Sequence, residues 1–203
     1  DRSINNPELF IHSNVLGVSV LMDACLRFGV NRFHQVSTDE VYGDLPLEST
    51  SAFTEESALH PSSPYAASKA SADLLVLSYA YGLPITISRC SNNYGRFQHR
   101  EKLIPKVIDC AHHGVSIPVY GRGDNRRDWI HVDDHCTAID YILHKGKENH
   151  IYNVSAHEEI NNLELIRKIL AILGKSDDLI TFINDRPGHD RRYAMDTSRL
   201  EKL

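Results

Sequence analysis

Ser62-Ser63-Pro64-Tyr65-Ala66-Ala67-Ser68-Lys69 is the stretch from which the fold can be read. Ser63 is a suitable helix cap and Pro64 suits the first helical position, so a helix is expected to open here. Tyr65 and Lys69 are four residues apart and share one helical face. A free phenol ionises near pH ~10, too high for a base at neutrality. An ammonium one turn away favours the phenolate, which makes the pair a candidate acceptor for the proton of a sugar or alcohol hydroxyl. A surface tyrosine beside a solvated lysine is the plainer alternative.

Upstream, Arg32-Phe33-His34-Gln35-Val36-Ser37 alternates polar and apolar residues as a strand does. Thr38, Asp39 and Glu40 then fall at its carboxyl end, where ligands sit in open α/β sheets. Adjacent carboxylates repel, so one is easily kept protonated. That places a candidate acid and a candidate base together. A solvated acidic turn remains the alternative for this stretch alone.

Together the two stretches resemble the extended short-chain dehydrogenase/reductase family, which uses a Tyr-x-x-x-Lys pair on an NAD-binding fold. Within it, Thr38-Asp39-Glu40 is similar to the dTDP-glucose 4,6-dehydratases. Sugar-nucleotide epimerases of that family usually have small or hydroxyl residues where the two acids stand. Cys90-Ser91-Asn92-Asn93-Tyr94-Gly95, Gly123-Asp124-Asn125-Arg126-Arg127-Asp128-Trp129 and Asp185-Arg186-Pro187-Gly188-His189-Asp190 resemble the same group. Asp1-Arg2-Ser3-Ile4 is similar to the tail of a further segment of it, near cofactor and substrate.

The resemblance implies an α/β fold: a partial NAD-binding Rossmann fold with a smaller C-terminal α/β region for the sugar nucleotide. Residues 1–95 would be the NAD-binding part and 96–203 mainly the substrate part, with strand 151–154 returning to the first sheet. Tyr65 would take the proton of the sugar's carbon-four hydroxyl, assisted by Lys69 and by a hydrogen bond from Thr38. Glu40 would remove the carbon-five proton, and Asp39 would protonate the leaving carbon-six hydroxyl. Ser13, Tyr65, Lys69 and Asn93 would contact NAD. Asn92, Lys102, Leu103, Pro118 and Tyr120 would contact the substrate, as would Arg127, Asn162, Arg186 and His189. A homodimer through helices 14–28 and 64–81 is also implied.

Composition narrows the alternatives. The 203 residues allow one domain or two small ones. Lys and Arg total 22 against 27 Asp and Glu, a net charge of −5, which argues against a general nucleic-acid or membrane-surface binder. Cys25, Cys90, Cys110 and Cys136 form no paired motif and read as reduced thiols of a cytoplasmic protein. No apolar run is read as reaching the ~18 residues of a membrane span, and no signal peptide is read.

No Gly-x-x-Gly-x-x-Gly occurs, although a dinucleotide fold normally opens with a strand, that turn and a helix. The expectation is therefore a fragment lacking the first βαβ units and ending early at Leu203. Along the chain, Asn14 to Phe28 reads as a helix opened by Ser13 and Asn14, with a simple cap as the alternative role of Ser13. Residues 44–63 read as a long polar loop, functional or mobile. Asn92-Asn93 alternatively reads as a turn. Further helices are expected over 101–113 and from Asn162 to Leu173, and strands over 84–88, 117–121, 151–154 and 180–183.

His131 and His135 are four apart with two acids between, and read as a helix start, with no metal site expected. The cations of 185–193 read as partners for a diphosphate, or as a basic surface loop. Arg96, Arg100 and the Ser155-Ala156 pair depart from the family pattern. Besides dehydration of dTDP-glucose, the readings left open are an NAD-dependent epimerase, a GDP- or UDP-sugar dehydratase, and an inactive truncated remnant.

Overall fold

The computed structural model describes residues 2–203. Asp1, the first residue of the Asp1-Arg2-Ser3-Ile4 resemblance, lies outside the described residues. The helices and strands run α1 (Arg2–Asn5), α2 (Pro7–Ile11), α3 (Gly17–Arg27), β1 (Phe33–Thr38), α4 (Pro64–Ser78), β2 (Ile85–Cys90), β3 (Asn92–Tyr94) and α5 (Leu103–His113). They continue β4 (Ile117–Tyr120), β5 (Arg126–His131), α6 (Val132–Lys145), β6 (His150–Val154), β7 (Glu159–Asn161), α7 (Asn162–Ile172), β8 (Ile180–Ile183) and α8 (Ser198–Glu201).

β1, β2 and β6 form a parallel sheet in the order β1-β2-β6. Successive side chains of a strand point to opposite faces, and each face here carries an apolar cluster. Ile85 and Ile87 of β2 meet Val18 and Met22 of α3 and Ala72 and Val76 of α4. On the other face, Cys90, Tyr152 and Val154 pack with Ile142 of α6. A parallel sheet with helices on both faces is a doubly wound α/β arrangement, as expected. A second sheet joins β3 to β5 in parallel and β5 to β7 antiparallel. β4 and β8 pair in parallel, and α5 and α7 bury Val107, Ala111, Ile166 and Leu170 around Ile117 and Val119.

The first helix differs from its expected span. Helical backbone is continuous from Pro7, with a π-turn at His12–Leu16 between α2 and α3. Ser13 and Asn14 lie inside that turn, so Ser13 caps nothing, and Asn14 instead donates to Ser68 of α4 at 3.0 Å. Pro7–Arg27 is also long and apolar enough to cross a membrane, which corrects the sequence expectation. Its inner face is committed to the core through Val18 and Met22. Leu16, Val20 and Leu21 are exposed on the outside.

Residues 44–63 carry little regular structure, yet they are tied down. Leu45 bridges Arg192 and Phe53 bridges Met195. Arg192 donates to the carbonyls of Ser49 and Ser51, and Arg191 pairs with Asp44 at 2.6 Å. The Ser155-Ala156 departure is absorbed by Asp128, which accepts from Ser155 Oγ, Ala156 N and Glu158 N. The left-handed residue of that turn is His157, at φ 58°.

Beneath the first sheet, Arg89 Nε pairs with Asp73 at 2.9 Å, both side chains almost fully buried. Removing one member of such a pair strands the other, so Arg89→Met is expected to cost about 3–5 kcal/mol. The loss should shrink as the pH is lowered, because burial raises the Asp73 carboxyl above its ordinary range and the protonated acid strands no charge. Urea unfolding at pH 7 and pH 4 checks this; a loss under about 1 kcal/mol at pH 7, typical of an exposed pair, would contradict it.

Candidate active site

The two acids are positioned by the end of β1. Thr38 is extended, and its hydroxyl accepts from the Glu40 N–H at 3.3 Å, opening a 3-10 turn over Asp39–Tyr42. Gly43 closes the turn at φ 88°, where a Cβ would collide with the His60 carbonyl. Tyr42 anchors it from below: its ring stacks on Phe53, and its hydroxyl donates to Asn153 Oδ1 at 2.7 Å.

Asp39 is buried, and Thr38 Oγ1 donates to its Oδ1 at 3.1 Å. Its Oδ2 is buried with no hydrogen-bond partner. Burial, and then the neighbouring Glu40, push the Asp39 carboxyl up to about 8. At neutral pH it holds a proton, and Oδ2 is the oxygen with room for it. Burial also raises Glu40, but Lys102, Arg127 and Arg186 oppose the rise. Adjacent carboxylates thus have different surroundings, which is what an acid and a base require.

Tyr65 opens α4, with Ser63 as its cap and Pro64 in the first turn. Its ring meets Phe10 edge-on at 6.1 Å. Burial raises the phenol, and Glu40, Cys90, Asp39 and Asp73 raise it further. The spacing of Tyr65 and Lys69 therefore does not by itself activate the phenol, which corrects the simple reading of the pair. Lys69 Nζ donates to the Val36 carbonyl at 2.6 Å, leaving two of its three N–H groups.

The remaining predicted residues divide. Lys102, Arg127 and Arg186 all act electrostatically on Glu40, and Arg186 and Arg127 act on His189. His189 meets Asp185 at 2.6 Å and the Tyr120 ring edge-on at 6.0 Å, so this group borders the acids. Arg127 differs from its expected role. It is buried, its guanidinium donates to the carbonyls of Arg126, Asp190 and Arg191, and it lies 4.4 Å over the Tyr193 ring. Arg192 pairs with Glu159 and Arg191 with Asp44, so these cations hold chain to chain.

Asn92 and Asn93 lie on β3, not in a turn. Ser13 is exposed and bonds Asn14. Leu103 packs beside the α5–α7 core, and Pro118 lies in β4 opposite Thr181. Asn162 starts α7, but the capping side chain is Asn161. His131 caps α6 while His135 bonds Asn93, and no group among the described residues could hold a metal ion.

Three groups at the site escaped the sequence reading. Cys90 is buried and influenced by Asp39, its thiol pushed up to about 12 by burial. Asp190 accepts from both Ser62 and Tyr193 at 2.5 Å and acts on Glu40. His135 holds Asn93. Cys90 and Asp190 sit in motifs that were noticed; only their inward orientation was hidden.

A family model described as "NAD dependent epimerase/dehydratase family" matches residues 1–155. Low-salt glycan biosynthesis protein Agl12 of Haloferax volcanii is 48% identical over 205 residues, covering 100% of this chain and 65% of that protein. A dTDP-glucose 4,6-dehydratase of Mycobacterium tuberculosis is 47% identical over 202 residues, covering 98% of this chain and 61% of that protein. Among solved structures, DesIV, a dTDP-glucose 4,6-dehydratase of Streptomyces venezuelae with NAD bound, superposes with a TM-score of 0.96 at 43% identity, covering 100% of this chain and 62% of that one. The UDP-glucose 4-epimerase of Thermus thermophilus in complex with NAD gives 0.90 at 27% identity, covering 98% and 66%. The chain thus spans less than two thirds of the length of these relatives.

The raised Asp39 has a thermodynamic signature. Between the ordinary carboxyl value and about 8, the native state holds a proton that the unfolded state has lost, so stability falls as pH rises through that window. Asp39→Asn removes this slope. Relative to wild type it is expected to gain roughly 5 kcal/mol between pH 4 and pH 8, with hardly any difference near pH 4. Urea melts of both forms at the two pH values test it; an equal difference at both would sink it.

Proposed function

The chain belongs to the NAD dependent epimerase/dehydratase family, and from that premise we propose that the protein dehydrates dTDP-glucose to a 4-keto-6-deoxy sugar nucleotide. The observation that carries this reading is the acid pair: a proton-holding Asp39 beside a Glu40 set among cations, both next to Tyr65. Elimination of water needs an acid for the leaving hydroxyl and a base for the carbon proton.

The residues present fit the nicotinamide half of NAD. Lys69 keeps two donors for the ribose hydroxyls, and Ser91 Oγ is a buried polar atom without a partner at the end of β2. NAD, when bound, would supply the oxidant that takes hydride from carbon four and gives it back to carbon six, ending unchanged, and a cationic ring that would offset the negative neighbours of Tyr65. Tyr65 then holds the proton from the carbon-four hydroxyl, which Thr38 orients. The carbon-four ketone acidifies carbon five, and Glu40 takes that proton and returns it to carbon five once water has left. Asp39 Oδ2 gives its proton to the carbon-six hydroxyl, which leaves as water. Lys102 and Arg186 suit the diphosphate by charge and exposure.

On this reading residues 1–95 serve the cofactor and 96–203 mainly the sugar nucleotide. Leu16 at the end of the π-turn, Val20 and Leu21 on α3, and Leu74 on α4 are exposed apolar side chains suited to a second copy of the protein. Sedimentation should show a dimer that Val20→Glu dissociates; an unchanged mass would refute this use of them. The four free cysteines fit a reducing compartment, here the cytoplasm, which cell fractionation tests.

Mass spectrometry of dTDP-glucose incubated with the intact protein decides the reaction. Loss of one water is expected, and Glu40→Gln should still oxidise carbon four but release no water. Elimination should fall above pH about 8 as Asp39 gives up its proton. An unchanged mass with an inverted hydroxyl would mean an epimerase. Faster turnover of a GDP- or UDP-sugar would move the substrate.

A further inference from the structure

Arg96 and Arg100, where the chain departs from the family pattern, have no part in the reaction proposed above. Between their loop and α5 lies a cavity of about 380 Å³, within the size range of small-molecule sites. Ile104 and Ile108, one helical turn apart, line it. Leu103 and Val107, on the neighbouring stripe of α5, are turned into the core instead. None of the residues given above to the cofactor or the sugar nucleotide lines this cavity.

Phe97 flanks the cavity with a fully exposed ring on left-handed backbone, φ 66°. A bulky residue at positive φ is strained, and strain of this kind collects at ligand clamps. Arg100 meets Asp109 at 3.5 Å with both side chains exposed, a pair weak enough to be exchanged for another partner. Both residues line the cavity. Residues 96–106 carry four Lys and Arg against one Glu, a net charge of +3 in a chain of −5. That excess favours an anion and opposes a second copy of the same patch.

An aromatic wall, an apolar floor, a carboxylate acceptor and positive charge at the rim match one chemistry: a planar nitrogen base that carries phosphate. We propose that the cavity between residues 95–100 and α5 is a second nucleotide site, separate from the site of the reaction. The base stacks on Phe97 above Ile104 and Ile108, and Asp109 accepts from a base N–H. Arg96 and Arg100 hold the phosphates, for which the guanidinium fork is suited. Stacking on Phe97 uses a ring that is otherwise left in water. The inference does not rest on the dehydration reading.

The test irradiates the intact protein, saturated with NAD to fill the cofactor site, in the presence of 8-azido-ADP. Peptide mass spectrometry should place the label within residues 97–112. ADP should protect against it, and the concentration giving half protection reads the affinity of this site alone. Phe97→Gly and Arg100→Ser should each raise that concentration about tenfold, the effect of one lost stacking or phosphate contact. Phe97→Gly also relieves the left-handed backbone, so its thermal midpoint should be unchanged or higher, which excludes unfolding as the cause. Inorganic phosphate should protect only at far higher concentration than ADP. Label confined to the peptides of Asp39, Glu40 and Tyr65, undiminished protection in either variant, or phosphate protecting as well as ADP would each overturn the proposal. Water elimination from dTDP-glucose should be the same in both variants as in the wild type. Its absence from the wild type would count against the proposed reaction and leave the labelling result standing.

Discussion

Arg89 lies where the Tyr65 helix, the acid-bearing turn and the central strand meet, and its buried pairing with Asp73 is the contact on which the others depend. Taking two charges out of water is costly unless their remaining valences are filled. Here the guanidinium also lies 4.8 Å over the Tyr42 ring, and Tyr42 bonds Asn153 of β6. Asn153 in turn binds the carbonyls of Phe53 and Asp196 and takes Glu55 on its N–H. One polar network thus spans α4, the turn after β1, β2, β6 and the loop above them. Asp39 and Glu40 on one element, and Tyr65 and Lys69 on another, share a common reference through it.

Elements with regular apolar periodicity were legible in the sequence: β1, β2, β4, β6 and β8, and the helices α4, α5 and α7. β5 was not, because Arg127 and Asp128 occupy its buried positions and break the alternation on which strand reading relies. β3 and β7 are three residues each, too short for a period to show, and the asparagines of β3 alternatively read as a turn. The start of the first helix was missed because Ser13 and Asn14 looked like a cap, whereas the backbone passes them in a π-turn.

Part of the site was legible for a simple reason: Asp39 and Glu40 are neighbours in the chain, so their meeting in space needed no fold. What separates them chemically is burial and the cations contributed by distant segments, and no local pattern reports that. The same limit explains the arginines. Arg127, Arg191 and Arg192 looked like ligand-binding cations, but each finds a carbonyl or carboxylate from elsewhere in the chain. A guanidinium fork suits a peptide carbonyl as well as a phosphate, and sequence does not say which it meets.

The seam between residues 44–63 and 190–196 also has a temporal meaning. Arg191 and Asp44 are 147 positions apart, and Ser62 and Asp190 are 128 apart. Loops of that span close at high entropic cost, and contacts of such separation slow the search for the native state. The β1–β2 core forms from segments 52 positions apart, as His34 and Thr86 show. The rim around Glu40 is therefore complete only once residues 190–196 have docked. On a ribosome residues 190–196 emerge well after Asp39 and Glu40, so a nascent chain carries its acid pair before it has the environment that separates their protonation.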